Sequence, residues 1–158
     1  MYVPRLDRHH AGGFSFVAET NPDAPKTVAA FLKLLPYRQK IIHVRWSGEG
    51  CWIPLGEFEL GVGFENHTSH PSVGDVLFYP GGYSETEIIL AYGSCSFASK
   101  MEPLAGNHFL TIVGRRVSTP GTPGVITTGS YFGMYFADEA GTATGILEGL
   151  PPVVLTLE

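Results

Sequence analysis

The sequence has few charged residues and no concentration of positive charge. Charged residues make up 16% of the 158 residues, against about 25% in ordinary globular proteins. Ten Lys and Arg stand against fifteen Asp and Glu, and the longest basic run is the pair Arg115 and Arg116. Phosphate backbones are bound by a concentrated basic face, so we predict no nucleic-acid partner.

Cysteine and long apolar runs are also scarce. The two cysteines, Cys51 and Cys95, are too few and too far apart for a disulfide framework or a paired-cysteine metal or redox site, and we predict buried free thiols. Residues 1–10 are charged and lack the apolar core of a signal peptide. No apolar run approaches the roughly 20 residues of a membrane span. We therefore expect a cytoplasmic protein without a membrane partner.

What the chain does contain is glycine, proline and apolar residues. Twenty Gly and twelve Pro argue against a helical bundle, and a hydrophobic content of 44% allows a substantial core. We predict one domain over residues 1–158. Within it, residues 117–158 form a Gly- and Pro-rich extension of strands that carries four acids and no base.

One amphipathic helix is predicted after residue 23. Asp23 is the expected N-cap and Pro25 fits the first turn. Apolar residues at helical spacing then form a stripe that must cover part of the core, namely Val28, Phe31, Leu32 and Leu35.

Most of the remaining chain alternates with period two. In the segment 57–64 we expect a half-exposed strand with its four apolar residues, Phe58, Leu60, Val62 and Phe64, facing inward. Further strands are predicted near 14–18, 39–47, 51–54, 75–79, 86–92, 108–113, 131–136 and 153–157. The expected fold is mainly β, a closed β-barrel of about eight strands with one capping α-helix.

Two segments carry a family resemblance. The run from Asp23 to Phe31, with Ala-Pro-Lys-Thr-Val at 24–28, resembles the helix that plugs the barrel of a cyclophilin. The run Gly74 to Gly82, followed by Ile89 to Gly93, is similar to small bacterial and archaeal cyclophilin-like proteins. The whole resemblance covers about residues 14–114, and it points to an uncharacterised bacterial family with a cyclophilin-like fold.

The resemblance extends to the N-terminal part of cucumopine synthase, an opine-forming enzyme. It implies condensation of an amino acid with an α-keto acid and ring closure, a Pictet-Spengler type of reaction. The tail here does not resemble the helical C-terminal domain of that enzyme. Prolyl isomerisation is the lesser alternative, because Ile42 to Trp46 only partly resembles the isomerase motif and no Gln-Gly-Gly-Asp segment follows.

Acid–base chemistry has three candidate residues. Glu87 begins an apolar strand, and with Glu85 it projects to one face. If that face lines a pocket, burial and mutual repulsion would raise the pKa of one carboxyl group, and a solvated strand end is the alternative. His67 and His70 lie in one polar loop and can exchange protons near neutral pH. A metal site there would need a further ligand such as Glu65, so we predict no metal, and a purely polar loop is the alternative.

Ligand binding has five further candidates. Arg45 and Lys100 are isolated cations on an apolar chain, and together they would hold a carboxylate-bearing small molecule. His108 opens a strand and would reach the barrel mouth. Trp46 and Tyr83 would supply aromatic walls, although core or surface packing explains them as well. No phosphate loop or nucleophile elbow is present, and we predict no cofactor.

Two functions therefore remain open, a condensing enzyme and a non-catalytic metabolite-binding module. Assembly is open too. Four tail aromatics, Tyr131, Phe132, Tyr135 and Phe136, would expose more apolar surface than an edge strand normally does. We expect the barrel or a second subunit of a homo-oligomer to cover them.

Overall fold

The structure is a computed structural model, and it describes residues 5–11, 14–35, 37–44, 46–98, 104–119, 122–127 and 154–157. The expected mainly β class is confirmed. One helix, α1 (Pro25–Leu32), accompanies the strands β1 (Arg5–Ala11), β2 (Phe14–Thr20), β3 (Tyr37–Lys40), β4 (Ile42–His43), β5 (Gly48–Gly56), β6 (His67–Thr68), β7 (Asp75–Tyr79), β8 (Thr86–Cys95), β9 (Gly106–Thr119), β10 (Thr122–Thr127) and β11 (Val154–Leu157). The tail aromatics at 131–136, together with Arg45 and Lys100, lie outside the described residues.

The described strands pair into one antiparallel sheet. Its order is β3-β11-β1-β2-β9-β7-β8-β5-β4, and β6 and β10 pair with β9 off this path. The expected closed barrel is not confirmed, because the path ends at β3 on one side and at β4 on the other. These two end strands are neighbours in the chain, separated by Ile41 alone.

The predicted strand at 57–64 is wrong. The sheet strand β5 ends at Gly56, which has a positive φ of 61°, and the next residues run as a loop with a second such glycine at Gly61. Leu60 and Val62 do pack against the core, but Phe58 and Phe64 are exposed. The alternating residues therefore form a loop that packs against the core through Leu60 and Val62, and this loop pairs with no described strand.

The sheet is covered on both faces. Side chains that alternate along β7 belong to different clusters: Val76 and Phe78 lie with α1 in a helix-side cluster, while Leu77 and Tyr79 lie in a far-side cluster. The far-side cluster also contains Val44, Ile89, Phe97 and Leu104, with Trp52 and Cys95 packed against it. Both central strands are buried on both faces, as in sheets sandwiched between layers.

Helix α1 rests on the sheet through Phe31. Its ring lies 4.9 Å from the ring of Phe109 on β9 and 5.3 Å from that of Tyr37 on β3. The helix ends at Leu32, so the expected stripe residue Leu35 lies beyond it and still packs against the helix-side cluster. The predicted covering role of this stripe is confirmed.

The expected N-cap at Asp23 is wrong. The N-cap is Ala24, whose side chain offers no acceptor, and Pro25 occupies the first turn as predicted. The carboxylate of Glu65, distant in sequence, accepts hydrogen bonds from the backbone N–H of Lys26 (3.0 Å) and of Thr27 (2.9 Å). It also accepts one from Thr27 Oγ1 (2.7 Å). A negative group at this end complements the helix dipole.

Asn107 joins this cap to the sheet. Its fully buried amide accepts a hydrogen bond from the N–H of Glu65 (2.9 Å) and donates to Thr27 Oγ1 (3.0 Å) and to the carbonyl of Gly63 (2.8 Å). Every polar atom of the amide is thus bonded to the loop or the helix. The network fixes α1, the loop 61–66 and β9 relative to one another.

We predict that Glu65→Ala destabilises the protein by about 1–2 kcal/mol, because it removes the cap of α1. At this chain length the melting temperature should fall by roughly 2–8 °C. The exposed loop residue Glu59 supplies the control, since Glu59→Ala should leave the melting temperature unchanged.

The effect should also depend on pH. Burial raises the pKa of Glu65, but the hydrogen bonds from Thr27 and Lys26 outweigh it and hold the pKa below its ordinary value. The cap therefore contributes fully above the ordinary pKa and is lost as the pH falls below it. A Glu65→Ala deficit that stays constant from pH 7 into the acid range would contradict this cap.

Candidate functional site

The end of the β7–β8 hairpin carries the most unusual group of the described residues. Tyr79 on β7 pairs with Glu87 on β8, and on the other side of β8 Glu87 pairs with Pro54 on β5. Directly opposite residues share one face of a sheet. Because Tyr79 belongs to the far-side cluster, Glu87 lies on that face too.

Glu87 is a buried carboxyl group. It is 5% exposed, and within the described part of the chain no group donates a hydrogen bond to it. Burial, together with the nearby charge of Glu85, raises its pKa from 4.5 to about 7. Glu85 itself is exposed and accepts a hydrogen bond from the N–H of Gly56 (3.0 Å). A carboxyl group with this pKa can both take up and release a proton at neutral pH.

Aromatic rings surround the partner of Glu87. The ring of Tyr79 lies 5.8 Å from that of Phe97, edge-on, and 6.1 Å from that of Phe64. Phe64 in turn lies 5.0 Å from the imidazole of His67. Tyr79 is buried, whereas Phe64 is 51% exposed and His67 is exposed, so the row of rings leads from the far-side cluster to solvent.

The loop between β7 and β8 places the backbone of Tyr83 next to Tyr79. The N–H of Tyr83 donates to the hydroxyl of Tyr79 (3.0 Å), while its own side chain is 75% exposed. Gly81 and Gly82 make this turn possible with φ angles of 94° and 127°, which other residues rarely adopt. We call the group Glu87, Tyr79, Tyr83, Phe64 and His67 the hairpin site.

Trp52 adds an unpaired donor to the far-side face. It pairs with Ile89 on β8 and packs against the far-side cluster. Within the part of the chain that the structure describes, its Nε1 atom is buried without a hydrogen-bond partner, as are Tyr37 Oη and Asn66 Oδ1. Trp52 is two residues from Pro54, the partner of Glu87, so the indole and the carboxyl group are diagonal neighbours at a backbone separation of about 7–8 Å. Buried donors are nearly always paired, and this exception requires an explanation.

A second polar group on the far-side face is fully bonded. Asp75 Oδ1 lies 3.1 Å from His108 Nε2 and accepts a hydrogen bond from Thr111 Oγ1 (3.1 Å), and Asp75 Oδ2 accepts one from the N–H of Ser72 (2.9 Å). Burial raises the pKa of Asp75, but the hydrogen bonds from His108, Ser72 and Thr111 outweigh it and hold the pKa below its ordinary value. Asp75 thus stays ionised.

His108 is held at both ring nitrogens, which limits its expected role in binding substrate. The Asn21 side chain accepts the N–H of Asp23 with its oxygen (3.0 Å), so its nitrogen faces His108 Nδ1 at 3.1 Å and donates to it. Nδ1 is then unprotonated. The proton lies on Nε2, which is 2.7 Å from Thr111 Oγ1 and close to Asp75. The ring ties the turn after β2 to β7 and β9.

The remaining predicted residues are scattered. His70 is exposed, and its backbone N–H donates to Thr68 Oγ1 (3.0 Å). Trp46 is 55% exposed, and no described contact links it to the hairpin site. Among the residues that the structure describes, no three His, Cys, Asp or Glu side chains are grouped to hold a metal ion. The structure thus connects Glu87, Tyr83 and His67 through Tyr79 and Phe64, and no described contact connects His70 or Trp46 to them.

The two cysteines are free, as predicted. Burial, and then the neighbouring Cys95, raises the pKa of Cys51 to about 12, and burial raises that of Cys95 to about 11. Both therefore remain thiols at neutral pH, and they lack the thiolate character of a nucleophile.

The core contains a small void on the helix side. Its lining is entirely apolar and includes Phe31, Ile53 and Phe109. Its volume of ≈ 20 Å³ suits a water-sized molecule and is far below the several hundred Å³ of typical ligand pockets. This void is thus too small to hold an organic ligand.

Sequence reasoning missed two members of the hairpin site. The alternation at 57–64 predicts a strand with the ring of Phe64 facing inward, and the sequence predicts for Tyr79 only that it lies in a strand. A signal for Tyr79 did exist: it and Glu87 flank the glycine-containing loop 80–86, and residues that flank a hairpin loop face each other. The position of Phe64 depends on the fold of the loop 57–64 and has no such local signal.

Taken together, fold and site define a mainly β protein with an antiparallel sheet and a buried carboxyl group at one hairpin end. The chain belongs to the family described as protein of unknown function DUF3830, whose model matches residues 10–117, more than half of its length. No curated protein matches the chain. Within the described ranges, no helix has the length and apolar character needed to cross a bilayer.

We predict that Glu87→Gln stabilises the protein at pH 8 by on the order of 2 kcal/mol, which corresponds to a rise in melting temperature of about 4–8 °C. The folded-state pKa is raised, so folding loses stability as the pH rises from about 4.5 to about 7 and ionisation is forced on the buried group. At about pH 4, below both pKa values, the variant and the original should melt alike. Equal melting temperatures at pH 8, with Glu59→Gln as the control, would contradict this burial.

We also predict that His108 carries its proton on Nε2 and leaves Nδ1 unprotonated, because Asn21 donates to its Nδ1 atom. Nitrogen-15 NMR of the imidazole distinguishes the two ring nitrogens directly. The expected spectrum has a protonated Nε2 and an unprotonated Nδ1, and the reverse assignment would show that the Asn21 contact is wrong.

Proposed function

We propose that the protein binds a small organic molecule at the hairpin site and that Glu87 exchanges a proton with it. The observation that carries the proposal is the buried carboxyl group with a pKa near neutrality, next to aromatic rings that reach solvent. A buried group without a described donor costs stability, and such costs are concentrated at functional sites. The exposed rings of Phe64 and Tyr83 supply flat apolar surface for a ligand.

A non-catalytic metabolite-binding module is the second candidate. It uses the same rings and the same carboxyl group, with Glu87 as a binding partner and without proton transfer. The two candidates differ only in turnover, so one set of ligands tests both.

The narrower enzymatic version is condensation of an amino acid with an α-keto acid. Imine formation and ring closure both require proton transfers, which a group near pKa 7 performs at neutral pH. His67, 5.0 Å from Phe64 across their rings, is the second titratable group of the site. Arg45 and Lys100, which lie outside the described residues, remain the proposed partners of substrate carboxylates.

A cyclophilin-like fold is part of the same proposal. It is supported by α1, which covers one face of an antiparallel sheet, and by the strand order. The two ends of that order, β3 and β4, are separated by Ile41 alone, so one stretch of chain serves both edges.

The first experiment is a thermal-shift screen of a metabolite library. A ligand at a hundred times its Kd adds about 2.7 kcal/mol of stability, which is a shift of roughly 5–11 °C at this chain length. We expect Phe64→Ala and Tyr83→Ala to abolish the shift, while Trp46→Ala, an exposed aromatic outside the site, preserves it. Ligands whose shift survives both site variants would contradict the hairpin site.

The second experiment tests turnover. Wild-type protein and Glu87→Gln are incubated with histidine or tryptophan and a panel of α-keto acids, and products are identified by mass spectrometry. Condensed product that disappears in Glu87→Gln supports the enzyme. No product, with ligand shifts retained, overturns the condensing version and supports the binding module.

A further inference from the structure

The hairpin site is unusual in the sign of its charges. Glu87 is its one acidic member, the neighbouring carboxyl group of Glu85 has the same sign, and the imidazole of His67 is its other ionisable group. From the strands on either side, Glu87 faces Tyr79 on β7 and Pro54 on β5, and neither supplies a positive charge. Among the described residues, no Lys or Arg forms an ion pair with Glu87. The counter-charge for an ionised Glu87 is therefore open to a ligand.

The aromatic rings favour the same sign. The faces of aromatic rings carry partial negative charge and attract cations, most strongly where water is excluded. Phe64 and Tyr83 expose their rings, and Tyr79 lies buried beside Glu87. A row of rings that ends at a carboxyl group is suited to an ammonium group attached to an apolar body.

Trp52 provides an independent second observation. Its buried Nε1–H has no acceptor among the described residues, and Trp52 lies on the same face as Glu87, two pairs further along the β5–β8 ladder. A buried N–H without an acceptor is costly, and a ligand atom that accepts its hydrogen bond recovers that cost. Such a ligand would carry an acceptor a few bonds away from its cation.

We propose that the ligand of the hairpin site is an organic amine that also carries a hydrogen-bond acceptor, with its ammonium group at Glu87 and its acceptor at Trp52 Nε1. The inference rests on the proposed function and names the substrate class of the same site. The step is non-covalent: the ammonium group donates to the ionised carboxylate, and the indole donates to the acceptor.

Four phenyl compounds of similar size test the two contacts separately. Phenylalaninol has both the amine and a hydroxyl acceptor, phenethylamine has only the amine, 3-phenylpropanol has only the hydroxyl, and 3-phenylpropionate has the opposite charge. Binding is measured at pH 8 by calorimetry, and the indole N–H signals are followed by NMR. Trp46→Phe removes one of the two indole signals and so assigns the other to Trp52.

We expect phenylalaninol to bind at least about tenfold more tightly than 3-phenylpropanol and to shift the Trp52 indole signal, which phenethylamine should leave in place. In Glu87→Gln, phenylalaninol and 3-phenylpropanol should bind with equal affinity, because the contact of the amine is lost. In Trp52→Phe, phenylalaninol and phenethylamine should bind with equal affinity, because the contact of the hydroxyl group is lost. Glu59→Gln and Trp46→Phe are the matched controls and should change nothing.

Other outcomes separate the two levels of the proposal. If 3-phenylpropanol or 3-phenylpropionate binds as tightly as phenylalaninol and Phe64→Ala weakens it, the site stands and the amine class is overturned. If phenylalaninol binds tightly and neither Glu87→Gln nor Phe64→Ala weakens its binding, both the hairpin site and the amine assignment are overturned. If none of the four probes binds, the amine inference fails, while hits from the metabolite library still test the site.

Discussion

The burial of β7 and β8 on both faces is the constraint on which the rest of the structure depends. Helix α1 and the helix-side cluster cover one face, and the far-side cluster covers the other. A polar side chain on either strand must therefore find donors or remain uncharged. Asp75 and Glu87 lie in this same environment at opposite ends of the hairpin, and their pKa values move in opposite directions. Asp75 accepts hydrogen bonds from Ser72 and Thr111, with His108 beside it, whereas no described group donates to Glu87.

The same requirement explains how the helix is placed. Its cap comes from Glu65 in a distant loop, and the buried amide of Asn107 joins that loop to β9. The network is fully bonded, so it contributes order and offers no free group to a ligand. His108, beside Asn107 in sequence, belongs to the other fully bonded network. Within the described residues, three buried side-chain atoms have no hydrogen-bond partner, namely Tyr37 Oη, Asn66 Oδ1 and Trp52 Nε1. Of these, the Trp52 atom belongs to a side chain that packs against the far-side cluster.

Much of the fold could be predicted from local pattern. The strand 75–79 is predicted correctly because Asp75 and four apolar residues stand between Gly74 and Pro80. Helix α1 is predicted correctly from Pro25 and the apolar stripe that follows it. The loop 57–64 was missed because alternation reports which side is buried and not whether a strand partner exists. The cap by Glu65 and the contact of Phe64 with Tyr79 depend on residues far apart in sequence, which periodicity cannot reveal. The sequence leaves open whether Glu87 is solvated or buried, because alternation places it on a face and does not show what covers that face; the far-side cluster covers it here.

The most direct test of the account is the titration of Glu87 itself. Carbon-13 NMR of the glutamate carboxyl signals, with Glu87 assigned by the loss of one signal in Glu87→Gln, reports its protonation across the pH range. A midpoint at about 7 is the result that the buried, unbonded position predicts. A midpoint at the ordinary value near 4.5 would show that Glu87 is solvated or paired, and the central claim would fail.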